Sequence, residues 1–486
     1  MYYKDILSKY YKYSILKGLI NMANLEVIIT IILYNFLLIA IGFWAKKRTS
    51  NQDDFYIGSR GLGPWVTALS ASASSSSAWS LLGVSGAAYV WGLSAIWLLI
   101  GVLVGYVVSW TWVAPRLMEI SQKTGAVTLP ELLFGDFNEK DKIILLRLTT
   151  IIITCSLIVY VAAQFQGAGT AFSSILGISQ EWSIIIGALV ILIYTFIGGF
   201  WAVSLTDSIQ AIVMLIVALF LPLFLLVFIG GFDDLIFSVK AIGTAAEGSL
   251  TGVHTGLMGL GFIIGTVSIG FGYPGQPFVV NRFMAARDIT VIRRGRIIAI
   301  AWATVIFGGM ILLGLCAKVM YSTVSDPESV LFFVSQRIFG PVFAGIITAA
   351  VLSAIMSTAD SQLLAVASSV DRDWKGGRGT NISSARIAII LVVIFAVILS
   401  LYAPETIFTR VVFAWTALGA ALVPMVFSKV LDWKVSSLAA GLSILTGFLM
   451  TVIFHQLPNT PGDIMERVLP MLLGFIILGC SRKSWF

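Results

Sequence analysis

Runs of about twenty apolar residues follow one another along almost the whole of this 486-residue chain, and they restrict its fold more than any other feature. A run of that length crosses the roughly 30 Å hydrocarbon core of a bilayer as one α-helix. A bilayer offers backbone groups no water, so only helices and closed barrels can span it. We count thirteen runs, at about 26–45, 63–90, 94–116, 143–175, 181–198, 202–229, 256–278, 295–320, 339–368, 385–402, 406–428, 434–455 and 466–481. Charged residues make up 11% of the chain, against roughly a quarter in soluble domains. The reading is an all-α polytopic membrane protein, with the bilayer as its first partner.

The net charge of +7 could suggest a nucleic-acid partner, but its placement argues otherwise. Basic residues collect in alternate connections: Lys46, Lys47, Arg48 and Arg60; then 116–147, 282–296 and 372–386; then Lys429, Lys434, Arg482 and Lys483. The intervening connections hold little beyond Lys240, Arg337 and Arg467. By the positive-inside rule the first set faces the cytoplasm, so the N terminus lies outside and the C terminus inside a cell membrane. No nucleic acid and no obligate protein partner are expected. Residues 1–21 disagree with this orientation, because four lysines there would have to cross the membrane. Either they lie upstream of a natural start at Met22, or they form a small external amphipathic helix. Three scattered cysteines, two isolated histidines and no nucleotide-binding or triad motif give no metal cluster and no enzyme.

Two spans are interrupted. The second begins "GLGPWVTALSASASSSSAW" (61–79), and the seventh contains "GTVSIGFGYPGQP" (265–277). Paired breaks at matching positions in two halves mark the binding site in transporters built from inverted repeats. These breaks lie five spans apart. The expected domain is therefore one transporter unit over 22–486, with two inverted five-helix repeats at about 61–230 and 255–428, one helix before them and two after.

Small serines can simply let helices pack closely. At a helix break they can instead turn carbonyls and hydroxyls toward a monovalent cation. On the ninth span Ala354, Ser357 and Thr358 stand at i, i+3 and i+4 and share a face; bonding back to the preceding turn is the plainer role for such hydroxyls. With carbonyls near Ala73 and Ser76 they make five neutral oxygens, a set suited to sodium. Ser74 and Ser77, on the same serine run, are candidate solute contacts.

These residues resemble the sodium/solute symporter family, and are most similar to its sodium/proline branch. The resemblance runs from about Met22 to Phe486 and is carried by "DDFYIGSRGLGPWVTALSA" (53–71), "TLPELLFGDF" (128–137), "YTFIGGFWAVSLTDSIQA" (194–211), "GYPGQPFVVNRFMAA" (272–286), "LSAIMSTADSQLL" (352–364) and "AWTALGAALVP" (414–424). It implies a leucine-transporter-like core, sodium as coupling ion, and import of a small solute such as proline by alternating access. It also implies one sodium held by Ala73, Ser76 and Ala354 carbonyls with the Ser357 and Thr358 hydroxyls, and a solute near Tyr160, Tyr273 and Pro277. Two positions depart from the proline branch. Ser75 stands where an aspartate important for sodium is found, and Ile269 where a tryptophan meets the solute. The same machine for a monocarboxylate, pantothenate or a sugar is the alternative; a transporter-like sensor is the alternative from another class.

Ionisable groups inside a span are functional candidates by default. Asp207, in "SLTDSIQ", is a candidate second cation site or gate together with Ser75, or else a solvated helix-start residue. Asp360 lies about 200° around the helix from Thr358 and is expected on neighbouring backbone or in an inner vestibule. Lys318 and Arg410 are expected to snorkel to the outer interface.

Overall fold

The computed structural model describes residues 25–34, 36–38, 40–41, 44, 56–197, 200–242, 244–377, 382–403 and 405–482. The expectations about residues 1–21, Lys46, Lys47, Arg48 and Lys483 lie outside the described residues. Among those described the chain is helical, with one isolated bridge between Leu62 and Ala286.

Ten helices among the described residues are long and apolar enough to cross a bilayer, against the thirteen runs counted in the sequence. The differences have local causes. Leu25–Leu38 and Gln180–Ile193 are shorter apolar helices. The second span is cut by its own break, and its remainder runs on with the third as Trp79–Thr124. Gly92 turns that run through a left-handed backbone (φ 65), where a Cβ would sit 2.1 Å from the Glu247 carbonyl oxygen. Only glycine fits such a turn without strain.

The elements that build the interior are α1 (Pro64–Ser75), α2 (Val84–Trp91), α3 (Ile96–Val108), α4 (Glu139–Leu176), α5 (Phe200–Ile229), α6 (Gly256–Val267), α7 (Pro277–Met284), α8 (Ile289–Met320), α9 (Pro341–Ser368), α10 (Ile407–Val430), α11 (Ser437–His455) and α12 (Leu469–Ser481). Proline opens α1, α7 and α9 at their first turn, where its missing N–H costs nothing and its fixed φ suits a helix. The spans holding α9 and α10 have 83% and 89% of their most apolar stretch buried by protein, whereas those of α11 and α12 have 33% and 28%. Thus α9 and α10 form the centre, and α11 and α12 face mostly lipid.

The two broken units are tied at one end. Leu62, just before α1, donates its N–H to the Ala285 carbonyl (3.2 Å), and Arg287, just after α7, donates to the Leu62 carbonyl (3.2 Å). Whatever moves one broken helix at that end therefore acts on the other.

Candidate ion and solute sites

Leaving the helix at Ser76 (φ −106, ψ 92) gives the serine run its shape. Ala73 then has a carbonyl without its usual partner four residues on. It accepts instead from the Ser76 N–H (3.1 Å) and, across the interface with α9, from Ser357 Oγ (3.2 Å) and Thr358 Oγ1 (3.4 Å). Ser357 also points to the Ala354 carbonyl at 3.3 Å. These spacings exceed the usual 2.7–2.8 Å of an O–H···O bond. They match the edge of an octahedral oxygen shell, about 3.4 Å for oxygens about 2.4 Å from a hard cation of this size. Every donor is neutral and every one is buried. The cluster fits a monovalent ion better than a divalent one, which draws carboxylates.

The rest of the run divides between two faces. Ser70 and Ser74 donate to Asp207 Oδ2 at 2.8 and 3.1 Å, and Ser74 also lies 3.0 Å from Ser361 Oγ. Ser77 accepts from the Trp79 N–H (3.1 Å), while Gln164 on α4 accepts from Ala78 N–H (2.9 Å), so two of the backbone donors freed at the break are satisfied by side chains. Ser75 faces the other way, toward Tyr106 (2.9 Å).

Asp207 is not a solvated helix start. It is fully enclosed and pairs with Arg282 at 3.0 Å. Arg282, expected at the start of a basic loop, is itself buried on α7, because the helix restarts at Pro277 and carries it inward. Its other contacts are Ser70 (3.1 Å), Ser361 (2.6 Å) and the Phe278 carbonyl. Asp360 joins the cluster electrostatically with Asp207 and Arg282, and its Oδ1 accepts from Ser361 (3.4 Å). One oxygen of each aspartate, Asp207 Oδ1 and Asp360 Oδ2, has no hydrogen bond. Two carboxylates thus share one guanidinium in a dry site.

Beside the Ser75 break lies a narrow cavity. Tyr160, Ile269 and Tyr273 line it, as does Ser75; Ser74, Ser77 and Pro277 are buried nearby but do not line it. Trp79, Tyr106 and Trp415 are lining residues that sequence reasoning passed over. Trp415 sits within the quoted 414–424 stretch, so a signal was present; Tyr106 sits in an apolar span and gave none. Trp415 Nε1 donates to the Ile269 carbonyl (2.8 Å), and Gln276 Nε2 donates to the Gly272 and Trp415 carbonyls (both 3.0 Å). Together they hold open the 3₁₀ segment Ser268–Gly275 that breaks the seventh span.

A second cavity, of about 570 Å³, opens at the end of the bundle where Trp91, Phe408, His455 and Glu466 meet, and Val412 lines both. The Phe408 ring stands between the two linings, 5.3 Å from Trp91 of the second and 5.9 Å from Trp79 of the first. Glu328 fixes that ring by accepting from the N–H groups of Ile407 (2.9 Å) and Phe408 (2.8 Å) at the start of α10. Burial raises the Glu328 carboxyl above its ordinary range, and the two backbone donors pull it back down. Glu328→Ala is expected to cost about 1 kcal/mol, as for other lost helix caps. It should also speed solute release, as read by melting temperature and by dissociation rate.

Near the same end Arg410 does not snorkel, whereas Lys318 stays partly exposed. Arg410 is buried on Gln166 (3.0 Å) and the carbonyls of Leu399 and Ala403, and Lys318 pairs with Glu247 at 2.7 Å. Arg467, expected in an outer loop, is buried on the Gly462 carbonyl (3.0 Å) and Asp463 (2.8 Å).

Comparison with known proteins gives a consistent picture. The description "Sodium:solute symporter family" matches residues 55–447. Sodium/proline symporter 2 of Staphylococcus saprophyticus is 33% identical over 449 residues, covering 89% of this chain and 86% of that protein. High-affinity proline transporter PutP of Bacillus subtilis is 35% identical over 410 residues, covering 82% of this chain and 85% of its own length. Among solved structures, a sodium-coupled sialic acid symporter in a substrate-bound outward-open state superposes with a TM-score of 0.77 at 17% identity, covering 95% of this chain and 99% of the other. The likeness is one of fold.

Proposed function

The chain belongs to the sodium:solute symporter family, and from that membership we propose that it imports proline, or a closely similar small amino acid, across the cell membrane. Sodium is the coupling ion. The observation that carries the proposal is the adjacency of two sites at one helix break: the Ala73–Ser357–Thr358 oxygens on one side of α1 and the aromatic cavity at Ser75 on the other.

That adjacency supplies a coupling mechanism. A cation bound to the Ala73, Ser76 and Ala354 carbonyls and to the two hydroxyls joins α1 to α9. It fixes the backbone of residues 73–76, and with it Ser75 in the cavity wall. Solute then meets a preformed wall, so each ligand raises affinity for the other, as linkage requires. Rocking of one repeat against the other then exposes the pair to the cytoplasm, the N terminus lying outside. Asp207, with Ser70 and Ser74, stands as a gating position on the other face of α1; Ser75, expected to join it, faces the cavity instead.

Uptake of radiolabelled proline into proteoliposomes, with and without an inward sodium gradient, tests the proposal. Sodium-stimulated accumulation is expected. Its absence in correctly inserted protein would move the search to other small carboxylates, pantothenate or sugars. Thr358→Ala is expected to raise the half-saturating sodium concentration about tenfold, equivalent to about 1.4 kcal/mol of cation binding. Thr358→Ser should restore it, and unchanged sodium dependence in folded Thr358→Ala protein would remove this residue from the ion site.

A further inference from the structure

Tyr106 stands on α3, opposite both helix breaks. Its hydroxyl lies 2.9 Å from Ser75 Oγ at the break of the second span, and its ring centroid lies 4.5 Å from that of Tyr273 at the break of the seventh. Both rings line the cavity that Ser75 also lines. The position is tightly held: a Cβ on neighbouring Gly105 would sit 2.2 Å from the Gly270 carbonyl oxygen, so α3 and the broken segment touch backbone to backbone.

Counting protons shows what the phenol offers. Ser75 Oγ has one proton and donates it to the Ser72 carbonyl at 2.9 Å. Its oxygen is therefore the acceptor for Tyr106 O–H. The Tyr273 hydroxyl, buried beside it, makes no hydrogen bond of good geometry and lies within electrostatic reach of Ser75, Trp110 and Tyr106. On the acceptor side, the Ile269 carbonyl beside the cavity already takes the Trp415 N–H. No charged side chain lines the cavity. What remains on offer is a pair of adjacent phenol O–H donors facing the same space.

We infer that Tyr106 and Tyr273 form a two-phenol clamp for the carboxylate of the solute, which makes Tyr106 a specificity-determining residue. The inference rests on the proposed function only in that the solute occupies this cavity. It adds which end of the solute lies at the Ser75 break and names the class: a carboxylate on a small apolar body. A carboxylate accepts both donors at once through charge-assisted bonds. The Tyr106 ring also furnishes an aromatic wall next to Ile269, where the aliphatic side chain provides none.

The test uses the full chain in proteoliposomes, with sodium-driven uptake of radiolabelled proline and unlabelled proline or prolinamide as competitors. Prolinamide keeps the ring and lacks the carboxylate. Wild type is expected to be inhibited by proline far better than by prolinamide. Tyr106→Phe should raise half-saturating proline about tenfold, the loss of one charge-assisted bond, with unchanged half-saturating sodium, and should narrow the proline-to-prolinamide preference by the same factor. Tyr273→Phe, which removes the other donor, should narrow it likewise and serves if Tyr106→Phe does not fold. Unchanged half-saturating proline in Tyr106→Phe, or equal loss for both competitors, overturns the clamp while leaving proline import standing. A wild-type protein that is correctly inserted and takes up no proline overturns the proposed function, and the clamp with it.

Discussion

Arg282→Met is expected to destabilise the protein by about 3–5 kcal/mol, the usual result of removing one partner from a buried ion pair. The cluster explains why this change should be worse than removing either acid. Asp207 and Asp360 are both fully enclosed, and Arg282 is the basic group that faces them. Without it two carboxylates remain in a dry site with no counter-charge. Asp207→Asn leaves one positive and one negative group, and keeps an oxygen for Ser70 and Ser74 to donate to; its cost should be near 1 kcal/mol, that of weakened hydrogen bonds. Adding Asp360→Asn to Arg282→Met should recover part of the loss. Melting temperatures of the purified variants decide the matter. Equal destabilisation by Arg282→Met and Asp207→Asn would show that charge balance does not govern this cluster.

The legible part of this protein was the part written in long-range pattern. Apolar runs gave an all-helical membrane fold because a bilayer permits so few alternatives. The two breaks were visible because glycine, proline and serine are conspicuous in a transmembrane helix, and Ser357 and Thr358 because their helical spacing puts them on one face. The direction of each serine was not legible. Ser70 and Ser74 are one turn apart and reach Asp207, whereas Ser75 turns into the cavity, and only the neighbouring helices decide which face meets which.

Arg282 was misplaced for a related reason. It lies five residues beyond Pro277 and close to a basic loop, and charge counting assigns it there. The helix restart at Pro277 instead buries it against α5 and α9. Arg410 was misplaced because a cation near a span end can reach water by snorkelling, unless buried carbonyls capture it first, as Leu399 and Ala403 do. Tyr106 carried no signal, since its role depends on the approach of two distant breaks to the same point on α3.

That approach depends on glycine, and Gly270→Ala is expected to abolish solute binding in protein that still inserts. A Cβ on Gly270 would lie 1.8 Å from the Gly101 carbonyl oxygen and 3.1 Å from the Gly105 nitrogen; on the facing helix, a Cβ on Gly101 would lie 2.7 Å from the Val267 carbonyl oxygen. These are backbone contacts, so no side chain can rotate away, and the 3₁₀ segment must withdraw from α3. Overpacking of this kind costs about 1–3 kcal/mol, which a protein of this size can survive. The geometry does not survive it, because Ile269 and Tyr273 move with the segment and Tyr106 does not. Gly308→Ala supplies the control. Its added methyl would meet only Leu99 Cδ2 at 3.9 Å, within α8, so it should leave transport intact and raise stability by up to about 1 kcal/mol, the difference in helix propensity. Sodium-dependent thermal shift separates the two effects of Gly270→Ala. The ion site lies between α1 and α9, neither of which takes part in the clash between α3 and the 3₁₀ segment, so a sodium shift should persist while proline adds nothing to it. Loss of both shifts together would mean that the α3 contact supports the whole core and not the solute cavity alone.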